Sequence, residues 1–401
     1  MSSYIRYLCC LVLGLTLGLS VTLSGKENTQ AQDSQFDFPL LLDVVDTIET
    51  YYVQPMSKEE LIQAAIQGIF AHLDPYSSLL NYQEQLSLRD SNKGEYFGFG
   101  FEIATDSDKI TIVAPFPNSP AAHAGIRAGD QIIALNDVQV SAGNLSELLQ
   151  EIKQHSLKNQ AIDLVISHQN AEGKFQIMLS PALIEVDSVE GKILDNKIGY
   201  IRLSSFQEDS TQDMMKLLQG WQSQPLKGLI LDLRNNPGGL LDQAIKIADL
   251  FLAKGKIVST SGRFFDANSE YYASSDSLMT DKPMLVLINK GSASASEVLA
   301  AALQENGRAK LMGQTSFGKG TVQSLIPTLN QGNAIKLTIA HYQTPNGEDI
   351  HAKGIKPDIK FPSETVLAGE NMPIIEPSYP HDDIAKDTVV NSAIAWIKTN
   401  N

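Results

Sequence analysis

Gly228-Leu229-Ile230-Leu231-Asp232-Leu233 runs straight into Arg234-Asn235-Asn236-Pro237-Gly238-Gly239 and then into the stretch Leu241 to Leu252. The first run is short and apolar, as suits a strand covered on both faces; the Asn-Pro-Gly-Gly break ends it, and helical spacing follows. The plan recurs downstream, with Met284-Leu285-Val286-Leu287-Ile288 as strand, Asn289 to Ser292 as turn and Ser296 to Gln304 as helix. Two strand–turn–helix units predict an α/β layer architecture. In such sheets functional groups gather at the carboxyl ends of the strands, where helix N-termini also point. Both glycine-rich turns are therefore expected to face one crevice.

This α/β segment spans about residues 183–362 of a multi-domain chain. Upstream, residues 94–182 read as β-rich, and residues 36–93 as a helical region. In the latter, Ser57 and Glu60 have capping-box spacing, and Leu61, Ile62, Ala65, Ile66, Ile69, Phe70 and Leu73 fall on one face before Asp74-Pro75 ends the pattern. Downstream, residues 363–401 form a Pro- and acid-rich tail in which Val389 to Ile397 is expected to be a short apolar helix. There is no internal repeat.

With 401 residues, 43% of them hydrophobic, the chain can bury a large core. Lys plus Arg total 31 against 46 Asp plus Glu, and the net charge of −15 argues against a nucleic-acid groove or a broad anionic-membrane surface. Both cysteines, Cys9 and Cys10, lie within the apolar stretch Leu8 to Leu23 that follows Arg6. The rest of the chain therefore has no disulfide, no thiolate metal site and no Cys nucleophile. Residues 1–31 read as a secretory signal, with an uncleaved membrane anchor over residues 8–23 as the alternative. Either way the remainder is expected to be exported to a periplasmic or other extracytoplasmic location, touching membrane only through this segment.

The turn Gly291-Ser292-Ala293-Ser294-Ala295-Ser296-Glu297 offers three serines among small residues at a helix start. There the N–H groups and the positive helix end can stabilise an oxyanion. Ser294-x-x-Glu297 is also a capping box, so spacing alone does not choose a nucleophile. Phe317-Gly318-Lys319-Gly320-Thr321-Val322-Gln323 places one lysine between two glycines. A lysine held from water loses basicity, because desolvation penalises its charged form, and the neutral amine can then take a proton from serine. Gln323, four residues on, is placed to orient the amine. His341 and His351, with Asp349 nearby, are the rival bases of a Ser–His hydrolase. A non-catalytic tail-binding scaffold is the other alternative.

In the β-rich segment, Gly98-Phe99-Gly100-Phe101 lets backbone N–H groups converge as a terminal carboxylate requires. Ser119-Pro120-Ala121-Ala122, Gly129-Asp130-Gln131-Ile132-Ile133, the helical stripe Leu145, Leu148, Leu149, Ile152 and the strand Ala161 to Ser167 follow in order. This series resembles a PDZ domain, with residues 98–101 as its carboxylate-binding loop, and implies strand addition of an extended peptide beside the Leu145–Ile152 helix. The motifs at 232–240, 291–297 and 317–323, together with Asp74-Pro75-Tyr76-Ser77-Ser78 and Gly354-Ile355-Lys356-Pro357-Asp358, are similar to those of the carboxyl-terminal processing peptidases, or tail-specific proteases. The resemblance covers most of the chain. It implies a crotonase-like α/β catalytic core with an inserted PDZ domain and N-terminal helices, and a serine endopeptidase using Ser294 as nucleophile, Lys319 as base and Gln323 as its support. The oxyanion donors it implies are the N–H of Ala295 and of Gly238 or Gly239. It further implies no metal or organic cofactor, and protein substrates that enter by accessible carboxyl tails. A homo-oligomer and an adaptor protein are both compatible with it. One departure is Lys153-Gln154-His155-Ser156-Leu157-Lys158-Asn159-Gln160, where the family has Arg-Gly and Gly-Thr, so the coupling of tail binding to the active site is not carried over.

Overall fold

The computed structural model describes residues 38–400, apart from positions 107–108, 117, 128, 142, 169–172, 276, 329–331, 362–383 and 385–386. The expected leader, with Cys9 and Cys10, and most of the tail lie outside the described residues. Contacts divide the chain into two compact units that meet at Pro75/Tyr76. In the first, α1 (Phe38–Tyr51) and α2 (Lys58–Leu73) form a helical pair. Ser57 caps α2 through the expected box, its N–H donating to Glu60 Oε2 at 2.8 Å. The apolar stripe does not build a core of its own. No residue of α2 is buried, and Ile62, Ile69 and Leu73 stay exposed.

Within the region 36–93 read as helical, a strand, β1 (Ser78–Leu80), stands between Asp74-Pro75 and α3 (Tyr82–Lys93). Asn81 caps α3 with Glu84, and Gly94 ends it in the left-handed region. The β-rich segment follows as β2 (Glu95–Gly98), β3 (Phe101–Asp106), β4 (Lys109–Pro115), α4 (Pro120–His123), β5 (Gln131–Leu135), β6 (Val138–Gln139), α5 (Leu145–Leu157), β7 (Ile162–Ser167), β8 (Phe175–Leu179) and β9 (Ala182–Glu185). Its sheet runs β3-β4-β5-β7-β8, which leaves β3 at an edge, while β2 pairs with β9. Leu148 and Ile152 of α5 are buried against Phe99, Ile132, Leu164 and Ile166, so the stripe read from the sequence forms this core.

The remaining elements are β10 (Val189–Ile193), β11 (Ile198–Leu203), α6 (Ser210–Trp221), β12 (Gly228–Asp232), α7 (Leu241–Phe251), β13 (Lys256–Gly262), β14 (Ser269–Tyr272), β15 (Met284–Ile288), α8 (Ala295–Glu305), β16 (Lys310–Gly313), β17 (Thr321–Pro327), β18 (Ala334–Gln343), β19 (Ile359–Lys360) and α9 (Thr388–Thr399). The main sheet has the order β10-β11-β12-β15-β16-β19, parallel from β11 onward. Every residue of β11, β12 and β15 is buried, because helices cover both faces. Alternation divides the strands cleanly. Leu229, Leu231, Val286 and Ile288 pack with α6, α7 and α8, whereas Ile198, Ile230, Leu285 and Leu287 pack with α9. A second sheet, β1-β18-β13-β14 with β17 on β18, lies beside it.

The short helix expected at the carboxyl end is thus a structural layer of this same subunit: Val390, Ala393 and Ile397 of α9 are fully buried. Truncating Ile397 to Ala removes apolar contact from a sealed layer and should lower unfolding free energy by about 2–5 kcal/mol, read as a lower urea midpoint at constant slope.

Candidate active site

The two glycine-rich turns, expected to face one crevice, are bonded directly to each other. Asn235 N–H donates to Asn289 Oδ1 at 2.8 Å, and Asn289 Nδ2 returns a bond to Asn235 Oδ1 at 2.7 Å. Ser292 Oγ donates to the Leu233 carbonyl and Ser296 Oγ to the Asn236 carbonyl, at 2.8 and 2.9 Å. Of the three candidate serines, two are therefore spent holding the first turn against the second.

Ser294 is different. Its backbone sits at φ 55°, ψ −116°, a conformation rare for a residue with a side chain and worth about 1–3 kcal/mol of strain. The capping-box pairing with Glu297 is present, and its firm half is the carboxylate, with Ser294 N–H donating to Glu297 Oε2 at 2.8 Å. The Ser294 hydroxyl makes no helix-cap hydrogen bond; the nearby phenol of Tyr342 is buried, which pushes its pKa up, and Ser294 pulls it the other way.

Glu297 is fully buried and all four of its hydrogen bonds are accepted from donors. Oε1 accepts from Ser316 Oγ and Gly318 N–H, each at 2.6 Å, and Oε2 accepts from Ser294 N–H and Lys319 N–H, each at 2.8 Å. Two N–H groups bound to one oxygen must lie within twice that distance of each other. The main chains of Ser294 and Lys319, 25 positions apart in sequence, are thereby pinned side by side.

The Lys319 side chain is half-buried and its Nζ lies 4.9 Å from the centroid of the Tyr76 ring. Burial pushes this amine below the ordinary lysine value, the charge of Lys336 pushes the same way, and Glu297 offsets part of the effect. No hydrogen bond joins Nζ to the Ser294 hydroxyl in this state.

Residues 197–361 match peptidase family S41, and residues 111–159 match a PDZ domain. The chain is 39% identical over 349 residues to the carboxy-terminal-processing protease of Bartonella bacilliformis, covering 86% of this chain and 78% of that one. It is 34% identical over 340 residues to the carboxy-terminal processing protease CtpA of Bacillus subtilis, covering 84% and 72%. The chain belongs to the carboxy-terminal processing proteases of peptidase family S41. Among solved structures, a photosystem II D1 C-terminal processing protease aligns over 81% of this chain and 93% of its own, with 26% identity and a TM-score of 0.51. Membership in this protease family sets aside the non-catalytic scaffold.

In this protease Gly238 and Gly239 close the crevice by having no side chain. A Cβ on Gly238 would stand 2.9 Å from Ser294 Cβ, and one on Gly239 would stand 2.3 Å from the Phe206 carbonyl oxygen. Gly238 N–H is already committed to Asn236 Oδ1 at 2.8 Å, whereas Gly239 N–H and Ala295 N–H donate to no described group.

Gln323 does not meet Lys319 through its amide nitrogen, which donates to Thr321 Oγ1 at 2.9 Å and Thr338 Oγ1 at 3.2 Å; Oε1 is left as the end able to receive an ammonium. A register shift between Val322 and Gln323 interrupts the simple alternation on which the sequence argument relied. His341 precedes Tyr342 on β18 and so points away from the face that carries Tyr342 toward Ser294. It pairs edge-to-face with His351, their ring centroids 5.5 Å apart. Among the described residues no three His, Cys, Asp or Glu side chains come together as a metal site.

In the PDZ domain, Phe99 is buried and Gly98 ends β2. The Phe99 carbonyl accepts from Ala121 N–H at 3.0 Å, and the Gly100 carbonyl accepts from Phe116 N–H at 2.9 Å and Ser119 Oγ at 2.8 Å. The N–H groups of Phe99 and Gly100 are left without a partner among the described residues. Phe101 begins the edge strand β3, its ring 6.4 Å from that of Phe99.

Sequence reasoning read Glu297 only as a helix cap and did not find Tyr342. The Ser-x-x-Glu spacing was the one signal for the first; Tyr342 has none, because a strand tyrosine looks like any other core residue. Glu297→Gln keeps the side-chain size but turns an acceptor into a donor facing donors. It should cut kcat by about a hundredfold, as expected when reacting groups shift by about an ångström, measured on a fluorogenic peptide with circular dichroism to confirm the fold.

Proposed function

We propose that this protease is an exported endopeptidase that captures substrate carboxyl tails on its PDZ domain and cleaves by acyl transfer with Ser294 as nucleophile and Lys319 as general base. The observation that carries the reading is the shared carboxylate: one oxygen of Glu297 holds the main chains of both residues at once. The Ser294 proton passes to the neutral Lys319 amine as Oγ bonds to the scissile carbonyl carbon, and the carbonyl electron pair moves onto its oxygen. Ala295 N–H and Gly239 N–H receive that oxyanion, since both are uncommitted and Gly238 N–H is not. Gln323 Oε1 steadies the ammonium. On collapse the C–N bond breaks, the Lys319 ammonium gives its proton to the leaving nitrogen, and the neutral amine then takes a proton from the water that hydrolyses the acyl-enzyme back to free Ser294.

The free N–H groups of Phe99 and Gly100 favour a terminal carboxylate in the PDZ loop, and the edge position of β3 favours strand addition of the tail beside α5. Export rests on the apolar segment at residues 8–23, and a crotonase-like core is the finer form of the α/β architecture described above. A homo-oligomer and an adaptor protein stay compatible with this reading. The Ser–His alternative gains nothing from the orientation of His341.

Ser294→Ala and Lys319→Ala should each abolish cleavage of an unstructured protein such as casein, followed by gel electrophoresis; substantial cleavage by either would overturn the dyad. The Ser294→Ala protein should still bind a peptide with a free carboxyl terminus and lose it when the terminus is amidated, read by fluorescence polarisation. Because the neutral amine is the active form, kcat/KM should rise with pH through a pKa below the ordinary lysine value. Lys336→Gln removes the like charge that lowers this pKa and should move the rising limb to higher pH.

A further inference from the structure

Tyr76 lies in the stretch between α2 and β1, and the residues that follow it are fastened to β18, in the sheet whose β17 begins two residues after Lys319. Ser77 is buried, and its Oγ accepts from Thr338 N–H at 3.1 Å. β1 pairs with β18 through Ser78 opposite Lys336 and Leu79 opposite Ile335. The ring that results faces Lys319 Nζ at 4.9 Å from its centroid, well inside the roughly 6 Å over which an aromatic face attracts a cation. We infer that Tyr76 is a catalytic residue whose ring face stabilises the ammonium that Lys319 becomes when it takes the Ser294 proton. This rests on the Ser–Lys reading.

The chemistry of the base explains why a ring suits the position. In the step, the Ser294 O–H bond breaks, its proton joins the Nζ lone pair, and one positive charge appears in a half-buried site. Burial opposes that charge, and so does Lys336 on β18. The attractive charge nearby is Glu297 on α8, whose four accepted hydrogen bonds are all made to other groups. A carboxylate against Nζ would stabilise the ammonium so strongly that the amine would be protonated before reaction. A ring quadrupole is weaker and carries no net charge, so it assists the charged form without fixing it. The lysine chain is flexible, and the reach of the ring covers a short swing of Nζ from its seat toward the hydroxyl.

The test is the pH profile of kcat/KM for the full-length protein on a fluorogenic peptide. Tyr76→Phe keeps the face and should stay within about threefold of the parent. Tyr76→Leu removes it. The protonated amine then loses support, its pKa falls, and the rising limb should move to lower pH by about half to one unit while the plateau rate drops about tenfold. If the leucine variant folds poorly, ring-fluorinated phenylalanines at position 76 weaken the quadrupole at nearly constant shape, and the limb should descend stepwise with fluorine count. A merely structural Tyr76 would lower rates with the limb unmoved, and that outcome overturns the inference. Lys319→Ala assayed in parallel separates the two ideas: an active Lys319→Ala protein removes the dyad itself, whereas an inactive one beside an unmoved Tyr76→Leu limb removes only the role of the ring.

Discussion

One buried carboxylate organises this active site. Glu297 is the third residue of α8, fully removed from water, and its oxygens join the strained turn at Ser294 to the loop from Ser316 to Lys319, beside one backbone bond from Phe317 N–H to the Ser292 carbonyl. Hydrogen bonds to a charged group are worth about 1.5–3 kcal/mol each. That is the scale needed to hold Ser294 at positive φ. One further effect favours the arrangement: the carboxylate sits in the first turn of α8, at the positive end of the helix. A helix cap and a catalytic scaffold are here the same contact.

Beneath the crevice a second buried carboxylate does a parallel job for the first turn. Asp232, at the end of β12, accepts from the Tyr200 hydroxyl at 2.8 Å and from Arg234 Nη2 at 2.6 Å, and pairs with Arg202 at 3.1 Å. Burial alone would raise its carboxyl pKa, but the Arg234 and Arg202 charges outweigh burial and hold it below the usual range. The folded-state pKa is depressed, so the associated stability is present above the ordinary carboxylate range and is lost as pH falls through the lower folded value. Arg234 continues to Asp387 at 2.7 Å, and Asp387 Oδ1 caps α9 by accepting from Val389 and Val390 N–H. The strand end, the first glycine-rich turn and the carboxyl-terminal helix thus share one chain of charges, which is why a helix distant in sequence packs into the main α/β layer.

Elements whose burial is repeated by their neighbours were legible in the sequence. β12 and β15 read as strands because both faces are covered, and α5 read as a helix because one face packs on Phe99 and Ile132. The glycine-flanked motifs at Ser294 and Lys319 marked two turns that the structure brings together on Glu297. What escaped were contacts decided by tertiary approach. β1 is three residues long and is made by pairing with β18, so no local pattern set it apart within the region read as helical. Tyr342 is tied to the lysine loop by a long-range bond, its main-chain N–H donating to the Gly320 carbonyl at 2.9 Å, and the Gln323 amide follows a register shift that no spacing rule announces.

The same carboxylate also bears on the charge state of the base. A lysine that must accept a proton cannot rest against an unengaged anion, since the pair would keep it charged. Glu297 is close enough to Lys319 to raise its basicity somewhat, yet each oxygen is already shared by two donors, and the contact to Lys319 is made by the backbone N–H and not by Nζ. The amine is left over the Tyr76 face, with burial and Lys336 pressing it toward neutrality. One side chain therefore places Ser294 and Lys319 together while spending its negative charge on the main chain, and under the proposed mechanism that division is what would let the lysine serve as a base.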